Sequence, residues 1–255
     1  MTLPRDLGDG LILRRATLAD TDKLAEFNMA IHGDVDAPGD RERLGAWVRD
    51  LLNRAHPTFK PKDFTIVEDT GTGAIVSSLN HISQRWTYAG IEFGVGRPEL
   101  VGTLPAYRRK GLVRLQMEVS HQWSRERNEL VQGITGIPYY YRQFGYEMGL
   151  VLGGARIGYA LHLPKLAEGE AEPYRVRSAT EADLPFMTEM YAQSAARSLV
   201  MCVRDEAMWR YSLLHCSPTN INGRQLRIIE TSAGAPVGFL AHPGYVWSPA
   251  MMATF

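Results

Sequence analysis

Val101-Gly102-Thr103-Leu104-Pro105-Ala106-Tyr107-Arg108-Arg109-Lys110-Gly111-Leu112-Val113-Arg114 decides how the rest of the chain is read. It opens on a short apolar strand, Leu100 to Leu104. Pro105 ends that strand, because proline has no N–H to give to a sheet ladder. Three cations and a glycine follow. From Leu112 to about Arg127 the pattern turns helical, with Leu112, Leu115 and Val119 on one face. Strand, basic turn and helix in that order present unpaired backbone N–H groups at a helix N-terminus, where the dipole favours an anion. Arg108, Arg109 and Lys110 add full positive charges, and Gly111 lets the backbone approach a ligand. The stretch predicts a pyrophosphate site; a solvated basic turn before an amphipathic helix is the competing reading. It matches neither G-x-x-x-x-G-K-[ST] nor G-x-G-x-x-G.

The same residues resemble the acyl-CoA loop of the GNAT superfamily of N-acetyltransferases, Arg/Gln-x-x-Gly-x-Gly/Ala. Here that loop becomes Arg108-Arg109-Lys110-Gly111-Leu112-Val113. Val113 departs from it, since Gly or Ala is usual there. A second stretch lies about thirty residues on: Gly136-Ile137-Pro138-Tyr139-Tyr140-Tyr141-Arg142-Gln143-Phe144-Gly145-Tyr146-Glu147. By its residues it is a short helix carrying three tyrosines, stopped by Gly145 and followed by a strand. It resembles the superfamily's closing signature, Tyr-x-x-Phe-Gly-Phe/Tyr. The resemblance implies that Tyr141 stands near a thioester sulfur and protonates the leaving thiolate, a fitting task for a phenol of pKa about 10. A core tyrosine with its hydroxyl bonded is the alternative.

The resemblance is strongest to the Eis-like branch, which acetylates amines and carries tandem domains. It implies acetyl-CoA as co-substrate and a small-molecule amine as acceptor. It also implies that the backbone of Val101, Gly102 and Thr103 pairs with the pantetheine arm as with an added strand. An N–H near Thr103 would hold the oxyanion. Arg108, Arg109, Lys110, Gly111, Leu112, Val113, Arg114, Gly136 and Ile137 complete the expected cofactor residues. The superfamily often places a glutamate on the strand before the loop. Glu99 is the nearest carboxylate and shares side-chain parity with Val101 and Thr103; Glu92 and His81 are further candidates, and spacing selects none. In this superfamily the helical region that begins near Arg41 walls the acceptor site, so Asp34 and Asp36 on the preceding loop are candidates to receive a cationic amine; solvated loop acids are the alternative.

The 255 residues, 45% hydrophobic and 22% charged, fit a globular protein of one to two domains. With 28 basic and 28 acidic residues the net charge is zero, so nothing global points to nucleic acid or an anionic membrane. Cys202 and Cys216 lack metal-site spacing, so no metal is expected, and they read as reduced thiols of a cytoplasmic protein. Met1 to Asp9 has no apolar signal core, and no apolar run approaches the roughly 18 residues of a membrane span.

Residues 11–16 read as a strand. Thr17 and Asp20 read as helix cap and first-turn acid, before a helix with Leu24, Phe27 and Ile31 on one face. A second helix is expected from Arg41 to Arg54, strands at 63–68 and 74–83 about the turn Thr70-Gly71-Thr72-Gly73, and a loop or further strand from Gln84 to Gly96. The expected fold is α+β, the α/β GNAT fold: a mixed, mostly antiparallel central sheet flanked by helices. A strand at 129–134 would, by the resemblance, splay away to open a cleft. Residues 1–163 form the first domain, strand-rich from Gly149 to Leu163, and 164–173 an acidic linker.

An internal repeat follows. Leu13-Arg14-Arg15-Ala16-Thr17-Leu18-Ala19-Asp20 matches Val176-Arg177-Ser178-Ala179-Thr180-Glu181-Ala182-Asp183 at five of eight positions, offset by about 163 residues. Leu184, Met187 and Tyr191 then give a helical face, and Ile66-Val67-Glu68 corresponds to Ile228-Ile229-Glu230. Residues 174–255 read as the N-terminal half of a second GNAT-like domain, whose own anion loop would fall past Phe255. Met251 to Phe255 looks like strand material, and an exposed half-sheet edge would favour a homo-oligomer. Three functions are open: an acetyl-CoA-dependent N-acetyltransferase of a small-molecule amine, a non-catalytic acyl-CoA-binding module, or a protein N-acetyltransferase.

Overall fold

Alternating apolar residues from Leu11 onward build one long sheet. The computed structural model describes residues 2–33, 39–150, 156–244 and 251–254. Strand β1 (Arg5–Gly8), unanticipated in the sequence, hairpins onto β2 (Leu11–Arg15). Thr17 and Asp20 close a capping box around a single 3-10 turn, which launches α1 (Thr21–Ile31). Helix α2 (Asp40–Asn53) follows, within a residue of expectation. Strand β3 (Phe64–Asp69) turns at Thr70–Gly73 into β4 (Ala74–Tyr88), and β4 turns at Ala89–Gly90 into β5 (Ile91–Thr103). The stretch from Gln84 to Gly96 is therefore the tip of one long hairpin. Its two turn residues take positive φ, 50° and 82°, as a two-residue hairpin turn requires.

Helix α3 (Leu112–Glu126) crosses over and returns the chain to β6 (Glu129–Gln132), parallel to β5. The order β1-β2-β3-β4-β5-β6 is antiparallel up to this last pairing. The two faces carry separate cores. On one, α1 and α2 pack Leu24, Phe27, Leu44, Val48 and Leu51 against Phe64, Ile66 and Leu100. On the other, α3 packs Leu112, Val119 and Trp123 against Leu11, Leu13, Val67 and Val76, with Leu115 at the margin. Each fully buried aliphatic side chain contributes about 1.5–3 kcal/mol.

Beyond β6 the region expected to be strand-rich holds β7 (Arg156–Tyr159) and one 3-10 turn, and the strand expected after Gly145 does not form within 146–150. The second half is built from β8 (Tyr174–Ser178), α4 (Leu184–Ala195), β9 (Val200–Cys202), α5 (Glu206–Arg210), β10 (Arg224–Thr231), β11 (Pro236–Pro243) and β12 (Met251–Thr254). Strands β11-β10-β8 form a small sheet under Leu184, Met187 and Trp209, and β12 pairs with β7.

The sequence repeat has the same local geometry in both places. Thr17 and Thr180 take the same backbone, φ −126° and −124° with ψ 173°. Arg14 spans Asp20 (2.7 Å) and Glu68 (2.7 Å) as Arg177 spans Asp183 (2.7 Å) and Glu230 (2.6 Å). The halves also touch. Strand β9 pairs with the outer end of β4, Trp86↔Cys202 to Tyr88↔Val200, and buried Asp50 of α2 accepts from Ser217 N (2.7 Å) and Asn220 Nδ2 (2.8 Å).

Candidate active site

Strand β5 is irregular where it matters. Glu99 lies opposite Asn80 and Thr103 opposite Ser77, so β5 carries one residue more than β4 between those pairs. The extra residue is a β-bulge at Leu100, whose φ is +53°. Ser78 Oγ donates to the Leu100 carbonyl (3.2 Å) and holds it there. The bulge inverts the side-chain alternation: Asn80 and Ser77 point to opposite faces of β4, so Glu99 and Thr103 do too. The parity expected between Glu99 and Thr103 does not hold. Glu99 belongs to the α1 face, with Gly102; Thr103 belongs to the α3 face, its hydroxyl 2.8 Å from Ser77 Oγ, which itself donates to the Gly102 carbonyl at 2.8 Å.

On its other side β5 loses its neighbour. Strand β6 pairs with it only from Gly94 to Gly96, and Gly133 N donates the last bond, to the Gly96 carbonyl (3.0 Å). From Arg97 to Thr103 no strand lies on that edge among the described residues. The backbone of Val101, Gly102 and Thr103 thus borders an opening beside β6.

The basic turn sits at the end of that edge. Arg109 and Gly111 take positive φ, 64° and 75°, and Gly111 occupies the N-cap of α3. No side chain caps the helix, so the N–H groups of Leu112, Val113 and Arg114 have no intrahelical partner. Tyr107 anchors the turn by donating to Asp69 Oδ2 (2.6 Å), which raises the phenol's pKa and lowers the carboxyl's. Arg108 folds back on the Thr103 carbonyl (3.4 Å), and Lys110 approaches Asp9 (3.4 Å).

Arg114 ties this helix end to the tyrosine turn. It donates to Gln143 Oε1 (3.2 Å) and lies 5.1 Å from the Phe144 ring. The turn is a 3-10 helix, Tyr140–Phe144, closed by Gly145 at φ 91° as its sequence requires. Tyr141 packs on Gly136, where an added Cβ would stand 3.0 Å from the ring, and edge-on to Tyr140 at 5.0 Å. Ile137 next to it is exposed. Burial, then Tyr140 and then Glu99, push the Tyr141 hydroxyl up to about 12. That hydroxyl has no hydrogen-bond partner among the described residues.

The three candidate bases separate. Glu99 is largely enclosed, paired with Arg97, and burial raises its carboxyl despite that arginine. Glu92 forms an ion pair with Arg85 (2.7 Å) near the hairpin tip. His81 is fully buried under α3, between Ser120 Oγ (2.7 Å) and Glu129 Oε2 (2.8 Å), away from the opening. Asp34 and Asp36 lie outside the described residues. Sequence reasoning missed His32 at the end of α1 and Asn80 on β4, both with buried polar atoms lacking a partner among the described residues. Only the fold brings them to the face of Glu99, so no local signal marked them. Among the described residues no group of three His, Cys, Asp or Glu is placed to hold a metal ion, and no helix is long and apolar enough to cross a membrane.

The family model for the acetyltransferase (GNAT) domain matches residues 13–149. No curated protein matches the chain. Among solved structures, a GCN5-related N-acetyltransferase from Kribbella flavida superposes with TM-score 0.61 at 22% identity, over 94% of this chain and 54% of that one. A probable N-acyltransferase from Enterococcus faecalis gives 0.57 at 14%, over 91% and 55%. Saccharomyces cerevisiae N-myristoyltransferase with bound myristoyl-CoA gives 0.66 at 9%, over 99% and 66%. The chain thus spans between about half and two thirds of each of these structures. At these identities they share its fold, and the match over residues 13–149, which contains both the basic turn and the tyrosine turn, places the chain in the GNAT acetyltransferase family.

Proposed function

We propose that the chain is an acetyl-CoA-dependent N-acetyltransferase that acylates a primary amine of a small molecule. One juxtaposition carries this reading: a helix N-terminus without a side-chain cap behind three cations, at the end of a strand whose outer edge is unpaired from Arg97 on among the described residues. The residues suit a CoA pyrophosphate. The donors are backbone N–H groups, Arg108, Arg109 and Lys110, and apart from its chain neighbours no described residue comes within 4 Å of where a Cβ on Gly111 would stand. The free edge of Val101 to Thr103 suits the amide groups of a pantetheine arm. Bound acyl-CoA supplies an activated acyl group and a thiolate that must be protonated as it leaves.

The chain's own groups supply the rest. Tyr141 is held in its neutral form by burial above all, with Tyr140 and then Glu99 adding to it, so it keeps a proton to donate. Glu99, whose carboxyl is raised by burial, takes the first proton of an incoming ammonium. The duplicated Arg–Asp–Glu network supports a tandem, Eis-like arrangement, with 1–163 the catalytic domain, 164–173 the linker and 174–255 a GNAT-like half that packs against it. The proposed setting is the cytoplasm, with a small amine as partner.

The test is CoA binding and thiol release with acetyl-CoA and a panel of primary amines. Wild type is expected to bind CoA and release thiol. Arg108→Ala/Arg109→Ala is expected to weaken CoA binding by about tenfold or more, from two lost charge-assisted contacts. Binding without thiol release from any amine would favour the acyl-CoA-binding module, and acetylation of peptides but not small amines the protein acetyltransferase.

A further inference from the structure

The α1 side of the site contains buried polar atoms with no partner among the described residues. His32 closes α1, and its Nε2 is buried without a partner. It stands 3.4 Å from where a Cβ on Gly102 would lie, against the strand proposed to receive the acyl group. Asn80 shares this face; it is fully buried, and neither its Oδ1 nor its Nδ2 has a partner. Glu99 is its cross-strand neighbour. Buried polar groups are ordinarily bonded, and an unmade bond costs about 1–3 kcal/mol. Three such atoms on one face, next to a strand edge left unpaired among the described residues, leave hydrogen bonds for a ligand or water to make.

Proton accounting says what that ligand requires. A protonated primary amine loses two protons on becoming an amide, and Glu99 accounts for one. We propose that His32 Nε2 is the second proton acceptor of the amine-acylating site, with Asn80 holding the amine nitrogen, or a water bound to it, in place. This rests on the transferase reading above. The first proton passes to Glu99 and on to solvent. The second passes to His32 as the C–N bond forms and the C–S bond breaks. Tyr141 gives its proton to sulfur and is restored from His32 through solvent, so the products are amide, thiol and one released proton.

The surroundings keep His32 available. Among the described residues, the charged groups around it are Arg41 of α2, whose guanidinium lies against Gly33, and the Arg97–Glu99 pair of β5; β4 presents neutral Ser78 and Asn80. Burial lowers its pKa, which favours the neutral imidazole.

Three proteins test this: wild type, His32→Gln, which keeps a hydrogen-bond acceptor but takes no proton, and His32→Ala. Each is measured for CoA affinity, for thiol release from acetyl-CoA with the amine panel, and for melting temperature. The 15N imidazole spectrum of CoA-saturated wild type gives the protonation of Nε2. The expected result is CoA affinity within twofold in all three, kcat lower by about 100-fold in both variants, and Nε2 unprotonated at pH 7. The amine KM is expected to rise in His32→Ala alone. Wild-type kcat in His32→Gln, or a proton on Nε2, overturns the proposal while leaving the transferase reading intact. A wild type that binds CoA but releases no thiol to any amine rejects both.

Discussion

Tyr141 donates a proton only if it still holds one at working pH, and its surroundings ensure that. With its hydroxyl pushed up to about 12, deprotonation lies far above neutrality. Tyr141→Phe is expected to lower kcat by about 100-fold or more while leaving CoA affinity within twofold, read by thiol release and calorimetry. Any alkaline fall in wild-type rate below pH 10 must then come from another group, and the same fall should survive in the residual activity of the Phe variant. Asp20 answers to pH in the opposite range. Burial pushes its carboxyl up, but Arg14 and the backbone and hydroxyl of Thr17 outweigh that and leave it at about 2. Its folded pKa lies below the ordinary 3.8, so its stabilisation is present above about pH 4 and is lost as pH falls towards 2. Asp20→Asn is expected to cost about 1–3 kcal/mol at pH 7, with the difference from wild type shrinking in urea titrations at lower pH.

At the scale of elements, the divergence of β6 from β5 depends on a polar cluster stacked on Gly96. A Cβ there would collide with Ser124 Oγ, His81 and Glu129. These groups fix the start of β6: Glu129 accepts from Ser83 and Ser124 (2.8 Å) and pairs with His81. Gly96→Ala is expected to lower stability by about 2–4 kcal/mol, read in urea unfolding, and to weaken CoA binding as β6 shifts. What was legible in the sequence divides here. The basic turn, α3 and the tyrosine turn were readable because each is specified within a few residues, by Pro105, by Gly111 and by Gly145. The bulge at Leu100 was not: a one-residue irregularity leaves no mark on an apolar run, yet it moved Glu99 to the other face. Nor were His32 and Asn80, which acquire meaning only from what lies across from them.

At the scale of the whole molecule, a buried carboxylate ties α2 to the second half, beside a backbone bond from Ile221 N to the Arg43 carbonyl (3.1 Å). Asp50 is buried and receives the backbone N–H and hydroxyl of Ser217 and the amide of Asn220. Asp50→Ala leaves those donors unpaired and is expected to cost about 2–4 kcal/mol, with hydrogen exchange accelerated at the Ser217 amide more than in β3 or β4. Should the variant melt in one step at the wild-type temperature, the contact carries no coupling.

The pairing of β9 with β4 has a consequence for how the chain is made. About 112 residues separate Tyr88 from Val200. At ribosomal speeds of roughly 5–20 residues per second, the outer end of β4 emerges on the order of ten seconds before the strand that covers it. During synthesis Trp86, Thr87 and Tyr88 therefore wait as an open pairing template on a nascent chain. This makes the interval, rather than the finished protein, the time when holding factors or slow codons matter most.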